Sequence, residues 1–193
     1  MLRYFNLPGM ETYTEARPLV SNPSYDADRR KALEGLRVEL SRGSIDGPTI
    51  DIVERFASVP CCYTLQSCYG HFMRESCVDD RNTKSVAEVG VLGSKLHYRV
   101  AYIAFCIQNS AKGRALLEEM RAIADVNPDY IQFGSADWFW KICVNSYVLQ
   151  VSPLKNVCQD HFDVSMEDAL RIEQARDEFF DGLREVSSRN EYR

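Results

Sequence analysis

Two short polar clusters carry the residue types that could do chemistry: Arg42-Gly43-Ser44-Ile45-Asp46 and Thr64-Leu65-Gln66-Ser67-Cys68-Tyr69-Gly70-His71. Asp46 offers a carboxylate that accepts hydrogen bonds from an amino or hydroxyl group, and His71 a ring that titrates near neutrality. The run from Ser67 to Gly70 reads as a tight turn between two strands. Gly70 permits the backbone there, and successive N–H groups can point into one concavity that suits an anion or carboxylate. The competing reading is a plain hairpin whose Ser and Gly serve only the turn. A Cys68 nucleophile with His71 as its base, oriented by Asp46, is a further alternative and needs a lowered thiol pKa. Cys61, Cys62, Cys68 and Cys77 with His71 lack paired C-x2-C knuckles, and Cys68-x2-His71 is the one close ligand pair, so no metal is expected. Trp138 and Trp140, on one face of an expected strand, could stack on a base, although core packing is the commoner use of such residues. His97 and His161 have no recognisable partner spacing and take no role.

The elements that must position these residues follow from periodicity and punctuation. Residues 1–24 carry Pro8, Gly9, Pro18, Asn22 and Pro23 and read as an irregular arm with a short strand near 2–5. A helix begins at Asp26, with Ala32, Leu33, Leu36 and Leu40 at helical spacing, and stops before Arg42-Gly43. Asp46 precedes Gly47-Pro48 as the start of a second helix, whose face is Ile50, Val53, Phe56 and Ala57. Residues 61–73 read as strand, turn, strand, and 74–95 as a long polar connection. Apolar residues of both parities over 98–107 predict a strand buried on both faces. Asn109 or Ser110 caps a helix with Leu116, Met120 and Ile123 on its inner stripe, closed by Asn127-Pro128. Strands are expected over 130–133, 138–143 and 144–151. Ser165 and Asp168 open a last helix that buries Ala169, Ile172, Ala175, Phe179, Leu183 and Val186.

That order predicts a single α+β domain over 25–193, with a mixed or mostly antiparallel sheet packed against helices. No Gly-x-Gly-x-x-Gly or Gly-x-x-x-x-Gly-Lys-Ser/Thr occurs, so a Rossmann fold and a P-loop are disfavoured. The 193 residues are 45% hydrophobic and 26% charged, ordinary globular usage that excludes a mainly disordered chain. Formal charge is −5, from 23 basic and 28 acidic residues, which argues against a broad basic nucleic-acid footprint. The whole excess lies between Cys158 and Arg193, which hold 5 basic and 10 acidic residues; the remainder is balanced and can carry a local basic patch. Seven cysteines, an odd number, without an apolar N-terminal segment indicate a reducing, cytoplasmic setting. No apolar run approaches the roughly 20 residues needed to span a bilayer, so no membrane partner is expected.

The Gly43-Ser44-Ile45-Asp46 lead, the helix after it and the Tyr63-Thr64-x-x-Ser67-Cys68-x-Gly70 segment resemble the wybutosine-synthesising tRNA methyltransferase family. In that family the second segment usually reads Thr-Ser-Ser-Cys-Ser-Gly-Arg. Ser44, Asp46, Ser67, Cys68 and Gly70 match, whereas Gln66, Tyr69 and His71 depart, the last from an arginine suited to a carboxylate or phosphate. A tryptophan–histidine pair usual before the central strand is absent, and His97 stands nearest its place. Element order extends the resemblance from about Arg37 to the end. It implies S-adenosylmethionine-dependent methyl transfer to a ring nitrogen of a modified guanosine in tRNA, or of a related nucleoside-like small molecule, on a non-Rossmann α+β fold. It also implies Asp46, Ser67 and His71 as catalytic residues and Ser44, Ser67, Cys68 and Gly70 as cofactor-binding. The alternative is a ligand-binding or interaction module that keeps this fold without catalysis.

Overall fold

The computed structural model describes residues 13–74, 85–89, 96–189 and 192. The expected strand near 2–5, Cys77 and most of the 74–95 connection lie outside them. The first helix, α1 (Tyr25–Arg42), ends where Gly43 takes a left-handed φ of 62° and donates its N–H back to Glu39 and Leu40. A single 3-10 turn, Gly47–Thr49, then leads into α2 (Ile50–Ala57), which buries Ile52, Val53 and Phe56. Helix α4 (Ala111–Val126) opens with the Ser110 hydroxyl accepting the Gly113 N–H, and α6 (Met166–Ser188) with the Ser165 hydroxyl accepting the Asp168 N–H. Both stripes expected of these helices are buried. A four-residue helix, α3 (Val86–Val89), lies between.

Two antiparallel sheets make an α+β fold. The larger runs β1 (Thr14–Glu15), β6 (Ile131–Ser135), β7 (Ser146–Val151), β5 (Ala101–Ile107), β2 (Cys62–Cys68), and the smaller β3 (His71–Arg74), β4 (Leu96–Arg99), β8 (His161–Val164). Along β5 the two parities bury on opposite sides. Ile103, Phe105 and Ile107 join the main core under α2, α4 and α6, while Ala104 and Cys106 join smaller clusters with Val148, Phe139, Tyr63 and Tyr25.

Three sequence expectations change. Residues 98–107 are not one strand, because the chain changes partner at Val100: its N–H still bonds the Asp160 carbonyl in register with β8, and from Ala101 the pairing passes to β7. Residues 138–143 are not a strand but part of helix α5 (Asp137–Ile142), with Asp137 in its first turn and paired with Arg17. A helix sends Trp138 and Trp140 in different directions, so the shared stacking face is lost: Trp140 packs edge-on against Tyr147, and Trp138 lies against Phe139. Third, 61–73 is not a hairpin.

Candidate functional site at the sheet seam

Strands β2 and β3 do not pair with each other. Cys68 stands opposite Tyr102 and His71 opposite Arg99, so one antiparallel register runs from β2–β5 through the junction into β3–β4. The chain therefore continues in one direction and kinks at Tyr69-Gly70, where the sheet divides. A glycine inside a strand marks close backbone approach. At Gly70 φ is +86°, and a Cβ there would stand 2.7 Å from the Ala101 Cβ and 3.0 Å from the Tyr98 hydroxyl. The ladder is replaced at this seam by side-chain bonds. The Tyr98 hydroxyl accepts the Ala101 N–H at 2.9 Å and donates to the Val151 carbonyl at 3.1 Å.

The kink also turns the Tyr69 N–H away from β5, and it donates to Asp46 Oδ2 at 2.8 Å. Asp46 stands just ahead of the Gly47–Thr49 turn, yet its side chain caps nothing; only its carbonyl accepts the Thr49 N–H and hydroxyl. The same Oδ2 meets His71 Nε2 at 3.2 Å. Burial pushes the Asp46 carboxyl up, but the bonds from His71 and Tyr69 and the nearby Arg99 outweigh it and hold the group below its ordinary value. His71 is pushed from 6.5 up to about 9, chiefly by Asp46, with the Cys68 sulfur assisting and burial opposing. Its other nitrogen, Nδ1, is buried without a hydrogen-bond partner. One ligand atom each from Asp46, Cys68 and His71 lies within 4.8 Å of the others.

Asp46, Cys68, Gly70 and His71 are thus brought together. Ser44 is not: it is exposed, and its hydroxyl donates to Glu39 at the end of α1. Ser67 precedes Cys68 on the strand and so faces the other way, and among the described residues its hydroxyl makes no bond to Asp46 or His71. His97 is bonded instead to Asp163 and lies beside His161, outside the cluster.

Two arginines went unnoticed in the sequence. Arg176 of α6 is buried, donates to the Gly70 carbonyl at 3.2 Å and pairs with Glu173 at 3.2 Å. Its guanidinium lies 4.4 Å from the Tyr69 ring, whose other neighbour is Phe180, stacked at 4.9 Å. Residues 176 and 180, one helical turn apart, therefore grip the kink from beneath. The signal was spacing: 169, 172, 176, 179, 183 and 186 alternate by three and four, which puts a lone arginine on the apolar stripe. Arg99 is exposed and directly across the ladder from His71, where same-face side chains meet. Only the pairing reveals it.

Solved structures resemble this chain to differing degrees. The PH1069 protein from Pyrococcus horikoshii superimposes with a TM-score of 0.50 at 16% identity, over 86% of this chain and 93% of that one. A hypothetical protein from Aeropyrum pernix aligns with a TM-score of 0.40 at 15% identity, over 74% of this chain and 97% of that one. No family model and no curated protein matches. At this identity the likeness to PH1069 is one of fold alone.

Proposed function

We propose that this chain is an S-adenosylmethionine-dependent methyltransferase acting on a ring nitrogen of a modified nucleoside, in tRNA or in a related small molecule. One observation carries the reading: Asp46 of the first resembling motif binds the Tyr69 N–H and His71 of the second. Two segments that resemble one family separately thereby meet as one polar site.

The residues suit such a ligand. Asp46 is half-buried and uses Oδ2 internally, which leaves Oδ1 to accept from an amino or hydroxyl group of the bound nucleoside. Arg99 supplies the exposed guanidinium that the family's motif carries at the position of His71, and can bind a donor carboxylate or a phosphate bidentately. The paired His71 ring adds positive charge behind it, and its unpartnered Nδ1 provides a further polar contact. When bound, S-adenosylmethionine supplies an electrophilic methyl group on a sulfonium leaving group. The chain's part is to hold a neutral nitrogen in line with the methyl–sulfur bond and exclude water, so positioning matters more than a strong base. Ser44 and Ser67 have no part in this arrangement. A reducing cytosol is the compartment this reading requires, and the buried thiols suit it.

Calorimetry with S-adenosylmethionine and S-adenosylhomocysteine, followed by methyl transfer from labelled donor to bulk tRNA and to free nucleosides, tests it. Binding of both, with label entering a nucleoside, is expected. Failure to bind either overturns the reading, and binding without transfer to any acceptor replaces it with a non-catalytic binding module.

A further inference from the structure

We propose that Asp46, Cys68 and His71 form a three-ligand zinc site whose fourth position is open to an external ligand. The set is mixed in the way zinc favours: a thiolate, an imidazole and a carboxylate, each offering one atom within 4.8 Å of the other two. Zinc bond lengths place tetrahedral ligand atoms about 3.3–3.8 Å apart. His71 Nε2 and Asp46 Oδ2 already stand 3.2 Å apart, close to that spacing, and the Cys68 sulfur lies within 4.8 Å of both.

The local frame is built for this. Cys-x2-His is a zinc half-site spacing, and the positive φ of Gly70 is what lets the first and fourth residues of the segment converge instead of facing opposite sides of a strand. Asp46 arrives from a separate loop, oriented by the Tyr69 N–H as a metal-bound carboxylate is oriented by its outer neighbours. Arg176 fixes the Gly70 carbonyl behind the ligands. The His71 side chain is only 7% exposed, so a metal held by its Nε2 would be shielded from water on that side.

The chemistry balances. Zinc displaces the proton shared by His71 and Asp46 and the thiol proton of Cys68, and the dication with thiolate and carboxylate leaves a neutral group. Of the cations beside the cluster, Arg99 is exposed and screened and Arg176 is neutralised by Glu173, so both oppose the metal only weakly. Three protein ligands with one open position is the catalytic pattern, whereas structural sites close all four. The metal's role, a Lewis acid offering its open position to a donor carboxylate or nucleoside oxygen, rests on the methyltransferase reading; the site itself does not. It departs from the sequence-based expectation of no metal because Asp46 belongs to no ligand spacing.

The full chain, stripped with a chelator, is titrated with Co²⁺ alone and then with Zn²⁺, followed by absorption and calorimetry. One equivalent should bind, with a thiolate-to-cobalt charge-transfer band that Zn²⁺ abolishes. Cys68→Ser should remove the band, and Asp46→Asn and His71→Gln should weaken Zn²⁺ binding by about 100-fold or more. His161→Ala, in the separate His97–His161 pair, should leave binding unchanged. Melting curves identify any variant that fails to fold; Asp46→Asn, on a half-buried loop, keeps the test decisive if the buried variants do. No stoichiometric binding, a band that survives Cys68→Ser, or binding lost in His161→Ala overturns the proposal. No methyl donor is present, so failure here leaves the methyltransferase reading standing, and failure of donor binding leaves this site standing.

Discussion

At Asp46, burial and hydrogen bonding pull in opposite directions, and hydrogen bonding wins because the Tyr69 N–H and His71 share one oxygen. The consequence for stability falls mainly on His71. Its folded pKa of about 9 lies above the ordinary 6.5, so the folded chain holds the proton more tightly than the unfolded one. In metal-stripped protein the pair's contribution is therefore complete below about 6.5 and is lost as pH rises through about 9. Thermal melts should show a falling midpoint over that interval, and Asp46→Asn should flatten the profile while costing about 1–3 kcal/mol. An unchanged pH profile in Asp46→Asn would remove the pair from the account. Arg176 poses the opposite problem, a charge held inside the core by Glu173, the Gly70 carbonyl and the Tyr69 face. Arg176→Leu leaves the Glu173 carboxylate without a countercharge, held by the Val86 N–H alone, and should cost about 3–5 kcal/mol by denaturant unfolding. Arg176→Lys should recover only part, since an ammonium cannot fork between the two oxygens.

At the scale of elements, the seam depends on Gly70. Gly70→Ala must place a Cβ against Ala101 in a left-handed conformation and should destabilise by about 2–4 kcal/mol, read from denaturant midpoints. The loss should exceed that of Gly35→Ala, whose Cβ would meet nothing within 4 Å. Helices were legible in the sequence because their signals are local: the Ser110 and Ser165 caps and the stripes they open stand as expected. The Ser67 to Gly70 segment misled for a physical reason. Gly beside Ser is the chemistry of a turn, and only the partner strand, breaking at Val100 opposite it, distinguishes a reversal from a kink. Helix α5 misled similarly, since Trp138, Phe139 and Trp140 favour a strand by type, while the Asp137–Arg17 pair that favours the helix's first turn is long-range. Asp46 and the 67–71 segment were recognisable as polar clusters flanking one helix; Arg99 and Arg176 reach the site through pairing and packing.

Over the whole molecule, two sheets meet along one ladder, and the polar cluster sits where the ladder changes sheets, covered from below by α6. No helix among the described residues is long and apolar enough to cross a membrane. The net charge of −5 is carried by the C-terminal segment, so the seam, with Arg99 and His71 facing one another, can be locally positive within an acidic chain. The chain's three histidines allow a direct view of that seam. Nitrogen NMR of histidine-labelled protein, titrated with S-adenosylhomocysteine, should move the ring signals of His71 and leave those of His97 and His161 in place. Saturable binding that leaves the His71 ring unmoved would contradict the assignment of the site to Asp46 and the kink at Gly70.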